Sequence, residues 1–123
     1  DIPVTWNEMY RDILGIIPKN DTEGCLQDIH WSMGAIGYFP TYSLGTVFAS
    51  QISNKLESEL SSIGELITTT VGMKKLKEWL AKNIHQYGAT YTFEQISKRI
   101  TGSDLDTKYW SNYLNDKYRK IYS

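Results

Sequence analysis

Residues 24–45 read GCLQDIHWSMGAIGYFPTYSLG, and they mark a change from irregular to helical backbone. Gly34, Gly37 and the step from Phe39 to Pro40 prevent a regular helix through the middle of this stretch. Glycine favours turns, and proline cannot continue a helix that precedes it. Pro40 does suit the first turn of a new helix. The stretch therefore predicts irregular backbone up to Phe39 and a helix that begins at Pro40.

The helix that begins at Pro40 is predicted to be long and amphipathic. Its apolar residues recur at steps of three and four, as expected for one face of a helix of about five turns: Leu44, Val47, Phe48, Ile52, Leu56 and Leu60. The polar residues that fall elsewhere are expected on the outer face: Gln51, Asn54, Lys55, Glu57 and Glu59. Ser61 and Ser62 interrupt the pattern.

Helices are also predicted on both sides of this segment. A first helix follows a capping-box pattern formed by Thr5 and Glu8, and it ends at Gly15. Residues 63–70 form a short helix or a turn, although their β-branched run favours a strand by propensity. A helix around Leu76 and Trp79 is expected to stop at Gly88.

Two more helices complete the prediction. Thr92 and Gln95 form a capping box ahead of a short helix that ends at Gly102, and a last helix starts behind Asp106. No repeat or flexible linker is apparent. The sequence predicts an all-α fold, with residues 1–123 as a single helical unit.

Composition excludes several classes of partner. The chain has 123 residues, a formal net charge of -1 and one cysteine, Cys25. This balance offers no general attraction for nucleic acid, and no apolar run reaches the roughly 20 residues needed to cross a membrane. A cytoplasmic location is the simplest expectation. Because the chain starts with Asp1 and not with methionine, we expect an excised piece of a longer protein.

The candidate site lies within residues 24–45. His30 stands beside a tryptophan, where a histidine is more often structural than catalytic. Tyr38 and Tyr42 either present hydroxyl groups to a groove or only anchor the start of the helix. Asp28 either caps a turn or orients His30, and Gln27 either binds a peptide backbone or satisfies buried carbonyl groups. The residues alone leave these alternatives open.

The same stretch resembles the signature near the C-terminus of the carboxypeptidase Taq family. The members of this family are thermostable metal-dependent carboxypeptidases. The matching segments are Gly24 to Trp31, Gly37 to Tyr42 and Leu44-Gly45. The resemblance extends over essentially the whole chain. It includes Trp6-Asn7, Tyr10, Leu14 to Ile16, Asn20-Asp21, Leu76 to Leu80, Asn83 to His85, Gly88, Gly102, Tyr113-Leu114 and Lys117-Tyr118.

The resemblance implies a C-terminal portion of a larger, mostly helical zinc carboxypeptidase. Family members are about four times this length, and their zinc ligands lie upstream in a His-Glu-x-x-His helix and on a later glutamate. Here His30 and His85 are 55 positions apart, so no metal site is expected in this chain. Zinc would be bound by the upstream part, and this piece alone would be inactive.

The resemblance also implies roles for the candidate residues. His30, Tyr42 and Tyr38 would stabilise the oxyanion of the reaction, with Gln27 and Asp28 binding substrate or supporting these groups. The expected partners are a peptide substrate, the upstream half of the same polypeptide and a second copy in a homo-oligomer. The alternative is a non-catalytic helical domain that binds another protein.

Overall fold

Six α-helices and three short 3-10 helices form the regular structure of the computed structural model, which describes residues 1–122. The α-helices are α1 (Ile2–Leu14), α2 (Pro40–Glu59), α3 (Ile63–Leu66), α4 (Thr70–Asn83), α5 (Phe93–Thr101) and α6 (Lys108–Tyr122). The 3-10 helices are Cys25–Gln27, Ile29–Met33 and His85–Tyr87. These described residues contain no strand, so the all-α prediction is confirmed.

The chain divides into two compact units, Asp1–Thr41 and Tyr42–Ser123. In the first unit, α1 begins at Ile2 and not at Thr5, so the predicted capping box of Thr5 and Glu8 is wrong. Pro3 explains the earlier start, because its fixed dihedral suits the first turn of a helix. The predicted end is confirmed: Gly15 is left-handed, and its N–H donates to the Arg11 carbonyl at 2.9 Å.

Between α1 and α2 the first unit contains tight turns and the two 3-10 helices Cys25–Gln27 and Ile29–Met33, where the sequence predicts irregular backbone. Gly34 and Gly37 have φ angles of 72° and 78°, which side chains other than glycine rarely adopt. The ring of Trp6 on α1 meets that of Trp31 edge to face at 6.0 Å. This aromatic contact ties α1 to the 3-10 helix that carries His30.

The second unit has a core formed by residues of α2, α3, α4 and α5: Leu56, Leu66, Trp79 and Ile100. The buried Trp79 indole donates to Glu59 Oε2 at 2.7 Å, which links α4 to the end of α2. Lys55 contacts the other oxygen of Glu59 at 2.8 Å. These two hydrogen bonds hold the pKa of Glu59 below its ordinary value. The bond from Lys55 has the larger effect, and the bond from Trp79 has the next largest.

Helix α2 confirms the predicted bounds but not the predicted outer face. Gln51 was expected outside, yet its side chain is fully buried. Its amide nitrogen lies 2.9 Å from Thr101 Oγ1, and its amide oxygen accepts from the N–H of Asp106 at 3.0 Å. Burial is tolerated because both ends of the amide have partners.

The remaining helices follow the predicted bounds in part. The capping box of Thr92 and Gln95 is confirmed, and Gly102 ends α5 in the left-handed conformation. Residues 63–70 contain both predicted alternatives, since α3 ends at Leu66 and a turn follows it. Helix α4 stops at Asn83, five residues before the predicted stop at Gly88, because a separate 3-10 helix occupies His85–Tyr87. Helix α6 begins behind Asp106, as predicted.

Candidate functional site

Asp28 and His30 form a side-chain pair at the start of the 3-10 helix Ile29–Met33. Asp28 is the N-cap residue of this helix, and its Oδ1 accepts from the backbone N–H of His30 at 3.1 Å. The same oxygen lies 2.7 Å from Nδ1 of the His30 ring. The two side chains are 5% and 14% exposed. The carboxylate is therefore buried directly against the imidazole.

Asp28 makes both contacts that its two alternative roles require. One oxygen of Asp28 caps the helix and also contacts the ring of His30. Since the backbone N–H and the ring nitrogen meet the same atom, the orientation of the imidazole is coupled to the backbone of its own turn. This is the arrangement by which a carboxylate fixes the orientation and tautomer of a histidine.

Aromatic rings cover His30 from the following turn. The ring centroid of Tyr38 lies 4.9 Å from that of His30, and the centroid of Phe39 lies 5.7 Å away in an edge-on arrangement. The chain returns to His30 because the N–H of Ala35 donates to the His30 carbonyl and the N–H of Tyr38 donates to the Ala35 carbonyl. Asp28, His30 and Tyr38 are thus brought together within the first unit.

Phe39 is a member of this cluster that we did not single out as a candidate site residue. The Phe-Pro step that marks the start of α2 was a signal for its position, but not for its contact with the imidazole. Its phenyl ring packs against the imidazole and restricts the rotation of His30. A phenyl ring has no polar group to offer a substrate. Phe39 therefore shapes the site without contributing a donor or acceptor.

The other two candidates occupy different surroundings. Gln27 is exposed, and its side-chain nitrogen donates to the carbonyl of Thr22, which is exposed as well. Tyr42 lies in the first turn of α2, in the second unit, with its side chain about half exposed. Its carbonyl accepts from the hydroxyl of Thr46 at 2.9 Å.

Across residues 1–122, no group of three histidine, cysteine, aspartate or glutamate side chains is placed to hold a metal ion. Asp28 and His30 are engaged with each other, and Cys25 is buried as a free thiol. In the same residues, none of the helices combines the length and the apolar character that a bilayer span requires.

Comparison with known proteins places the chain in a class of metallopeptidases. The family model described as carboxypeptidase Taq (M32) metallopeptidase matches residues 1–118. Carboxypeptidase 1 of Bacillus subtilis is 38% identical over 122 residues, and Thermostable carboxypeptidase 1 of Pyrococcus furiosus is 36% identical over 118 residues. The chain therefore belongs to the carboxypeptidase Taq family.

Solved structures share its fold. A structure of Pyrococcus furiosus carboxypeptidase matches with a TM-score of 0.86 at 36% identity, covering 96% of this chain and 24% of that one. Trypanosoma cruzi metallocarboxypeptidase 1 matches with a TM-score of 0.80 at 35% identity, covering 96% and 25%. The matches to the Bacillus and Pyrococcus sequences cover 99% and 96% of this chain. They cover only 24% and 23% of those two relatives. The chain thus spans about a quarter of these relatives.

Proposed function

We propose that this chain is the C-terminal portion of a zinc-dependent metallocarboxypeptidase, which removes residues from the C-termini of peptides. Membership of the family supports the reaction class, since the matched relatives are named as carboxypeptidases. The observation that supports the site is the buried Asp28 carboxylate 2.7 Å from the His30 ring. Nothing in the comparisons supports the alternative of a non-catalytic interaction domain.

His30, Tyr42 and Tyr38 are the proposed oxyanion-stabilising groups. When water attacks a peptide carbonyl, the carbonyl oxygen gains negative charge, and donors directed at it stabilise the transition state more than the ground state. Tyrosine hydroxyls are neutral donors, and the ring nitrogen of His30 that is remote from Asp28 is the third donor when the imidazole is protonated. Each such donor contributes about 2.7–4 kcal/mol to lowering the activation free energy.

The remaining candidates have supporting roles in this proposal. Asp28 orients His30 through the Nδ1 contact. Gln27 is the weaker candidate for binding the substrate backbone, because its amide nitrogen already donates to the Thr22 carbonyl. Zinc is held by the upstream half of the polypeptide, which is also the main binding partner of this piece. We propose that the piece alone is inactive and that the parent protein is cytoplasmic.

The proposal is tested by substitutions in the parent enzyme. His30→Ala, Tyr42→Phe and Tyr38→Phe each remove one donor, so kcat is expected to fall by about 100- to 1,000-fold while KM changes little. Steady-state kinetics on a short peptide measures both constants. Tyr122→Phe removes a hydroxyl from a tyrosine that is 81% exposed on α6, and it serves as the control with unchanged kcat.

Two results would contradict the assignment. Unchanged turnover in all three variants would remove these donors from the mechanism. A parent protein without a His-Glu-x-x-His segment would remove the proposed source of the zinc site.

A further inference from the structure

The contact between Asp28 and His30 determines where the imidazole carries its hydrogen. An ionised carboxylate only accepts hydrogen bonds, so a ring nitrogen 2.7 Å from Asp28 Oδ1 must be the donor. That nitrogen is Nδ1. The same oxygen also receives the backbone N–H of His30, which holds the carboxylate in place beside the ring.

A neutral imidazole carries one ring hydrogen. If this hydrogen is on Nδ1, then Nε2 has a lone pair and accepts hydrogen bonds. Nε2 donates only when the ring takes up a second proton from solvent and becomes imidazolium. The positive charge formed in that state is balanced by the buried carboxylate of Asp28.

We propose that Asp28 is a positioning residue that holds His30 in the Nδ1–H tautomer. Neutral His30 then accepts a hydrogen bond at Nε2. It donates to an oxyanion only as imidazolium, through a charge-assisted hydrogen bond that is stronger than a neutral one. The catalytic consequence rests on the proposed function, whereas the tautomer itself does not.

The packing around the ring supports one fixed orientation. Tyr38 and Phe39 lie against the imidazole at centroid distances of 4.9 and 5.7 Å, so a ring flip that exchanged Nδ1 and Cδ2 would have to displace them. It would also break the Asp28 contact. The ring therefore keeps Nδ1 towards the carboxylate.

Nuclear magnetic resonance of the 123-residue chain with 15N-labelled histidine tests the tautomer directly. At a pH where the rings are neutral, His30 is expected to show a protonated Nδ1 and an unprotonated Nε2. The chain has only two histidines, and the exposed His85 provides the reference signal in the same sample. A His30 spectrum with the proton on Nε2 would overturn the proposal.

Asp28→Ser is the matched variant. Serine caps a helix about as well as aspartate, but its hydroxyl is too short to bridge the backbone N–H and the ring. We expect the Nε2–H form of His30 to appear in this variant while the His85 spectrum stays unchanged. If Asp28 only caps the helix, the His30 spectrum of the variant will equal that of the wild type, and the proposal fails.

The kinetic and spectroscopic tests fail independently. Unchanged turnover of His30→Ala in the parent enzyme would reject the catalytic role but would leave the tautomer intact. A wild-type spectrum with Nε2–H would reject the tautomer even if His30→Ala abolished turnover. Should Asp28→Ser fail to fold, the wild-type spectrum still decides the question.

Discussion

Gln51 is a fully buried polar residue in the interior of the second unit. It lies on α2 but contacts the end of α5 and the loop after it, through Thr101, Ser103, Asp104 and Asp106. Those partners are 50 to 55 positions away in the chain. The side chain of Gln51 thus links α2 to the end of α5 and to the loop that follows it.

Replacing Gln51 by methionine should therefore destabilise the chain. The volume is nearly conserved, but the N–H of Asp106 loses its acceptor, and the hydroxyls of Thr101 and Ser103 lose a donor. Leaving such groups unpaired costs about 1–3 kcal/mol of unfolding free energy. Chemical denaturation followed by circular dichroism measures this loss.

Asn54→Ala is the control for Gln51→Met, because Asn54 is exposed on the same helix. Exposed substitutions of this kind change stability by about 0.5 kcal/mol or less. If the two variants were equally stable, the Gln51 contacts would have no net stabilising role.

At the scale of elements, α3 and α4 approach each other too closely for a side chain at Gly72. A Cβ atom there would lie 2.1 Å from the carbonyl oxygen of Leu66 and 2.8 Å from its Cα. The N–H of Gly72 also donates to the hydroxyl of Thr69, the N-cap residue of α4. The missing side chain at Gly72 is thus what allows the short turn between the two helices.

Gly72→Ala is expected to destabilise the second unit, although alanine is normally the better helix former. The clash involves backbone atoms of Leu66 and cannot be relieved by a side-chain rotation, so the cost is about 1–3 kcal/mol or more. Thermal unfolding of the variant and the wild type measures the difference.

Gly64→Ala provides the matched control within α3. Its added Cβ would meet only the hydroxyl oxygen of Ser62, at 4.0 Å. Because this space is open, the substitution should be neutral or stabilising by up to about 1 kcal/mol. Destabilisation of equal size in both variants would show that the close approach at Leu66 is not the cause.

On the scale of the whole molecule, much of the apolar surface is exposed. The first unit has exposed isoleucines on and after α1 and in the turns, including Ile13 at 72%, Ile17 at 61% and Ile36 at 83%. No residue of α1 is buried. Large exposed apolar patches usually mark surfaces that pack against another chain or domain.

We expect the isolated 123-residue chain to self-associate through this surface. Sedimentation velocity should show a mass that rises with protein concentration, together with binding of a hydrophobic dye. The double variant Ile13→Lys and Ile17→Lys places charge on the surface and should reduce both signals.

Glu8→Lys is the control for association, because it makes the same change in net charge at an exposed position of α1 without removing apolar area. It should leave the association nearly unchanged. A clean monomer for the wild-type chain, with no dye binding, would contradict the prediction.

Local signals predicted most of the helices. Gly15, Pro40 and Gly102 act on their own turns, and the capping box of Thr92 and Gln95 satisfies the N–H groups of its own helix. Two boundaries were wrong. Helix α1 starts at Ile2, with Pro3 in its first turn, and not at the pattern around Thr5. A 3-10 helix takes the place of the last α-helical turn that was predicted before Gly88.

The candidate site was predicted from the residue types and from the family resemblance, and one part of it is visible in local contacts. Asp28 and His30 are two positions apart, so their pairing needs only the turn in which they lie. The edge-on contact of Phe39 with His30 needed the intervening glycine turns as well. No periodic pattern encodes such a contact.

The sequence by itself determined the all-α class, the start of the long helix at Pro40 and the membership of the carboxypeptidase Taq family. These follow from signals that act within a few residues or from residue identity. Only the tertiary structure decided that Gln51 is buried and that Trp79 donates to Glu59. Both depend on partners 20 to 55 positions away, and helical periodicity carries no information about such distant neighbours.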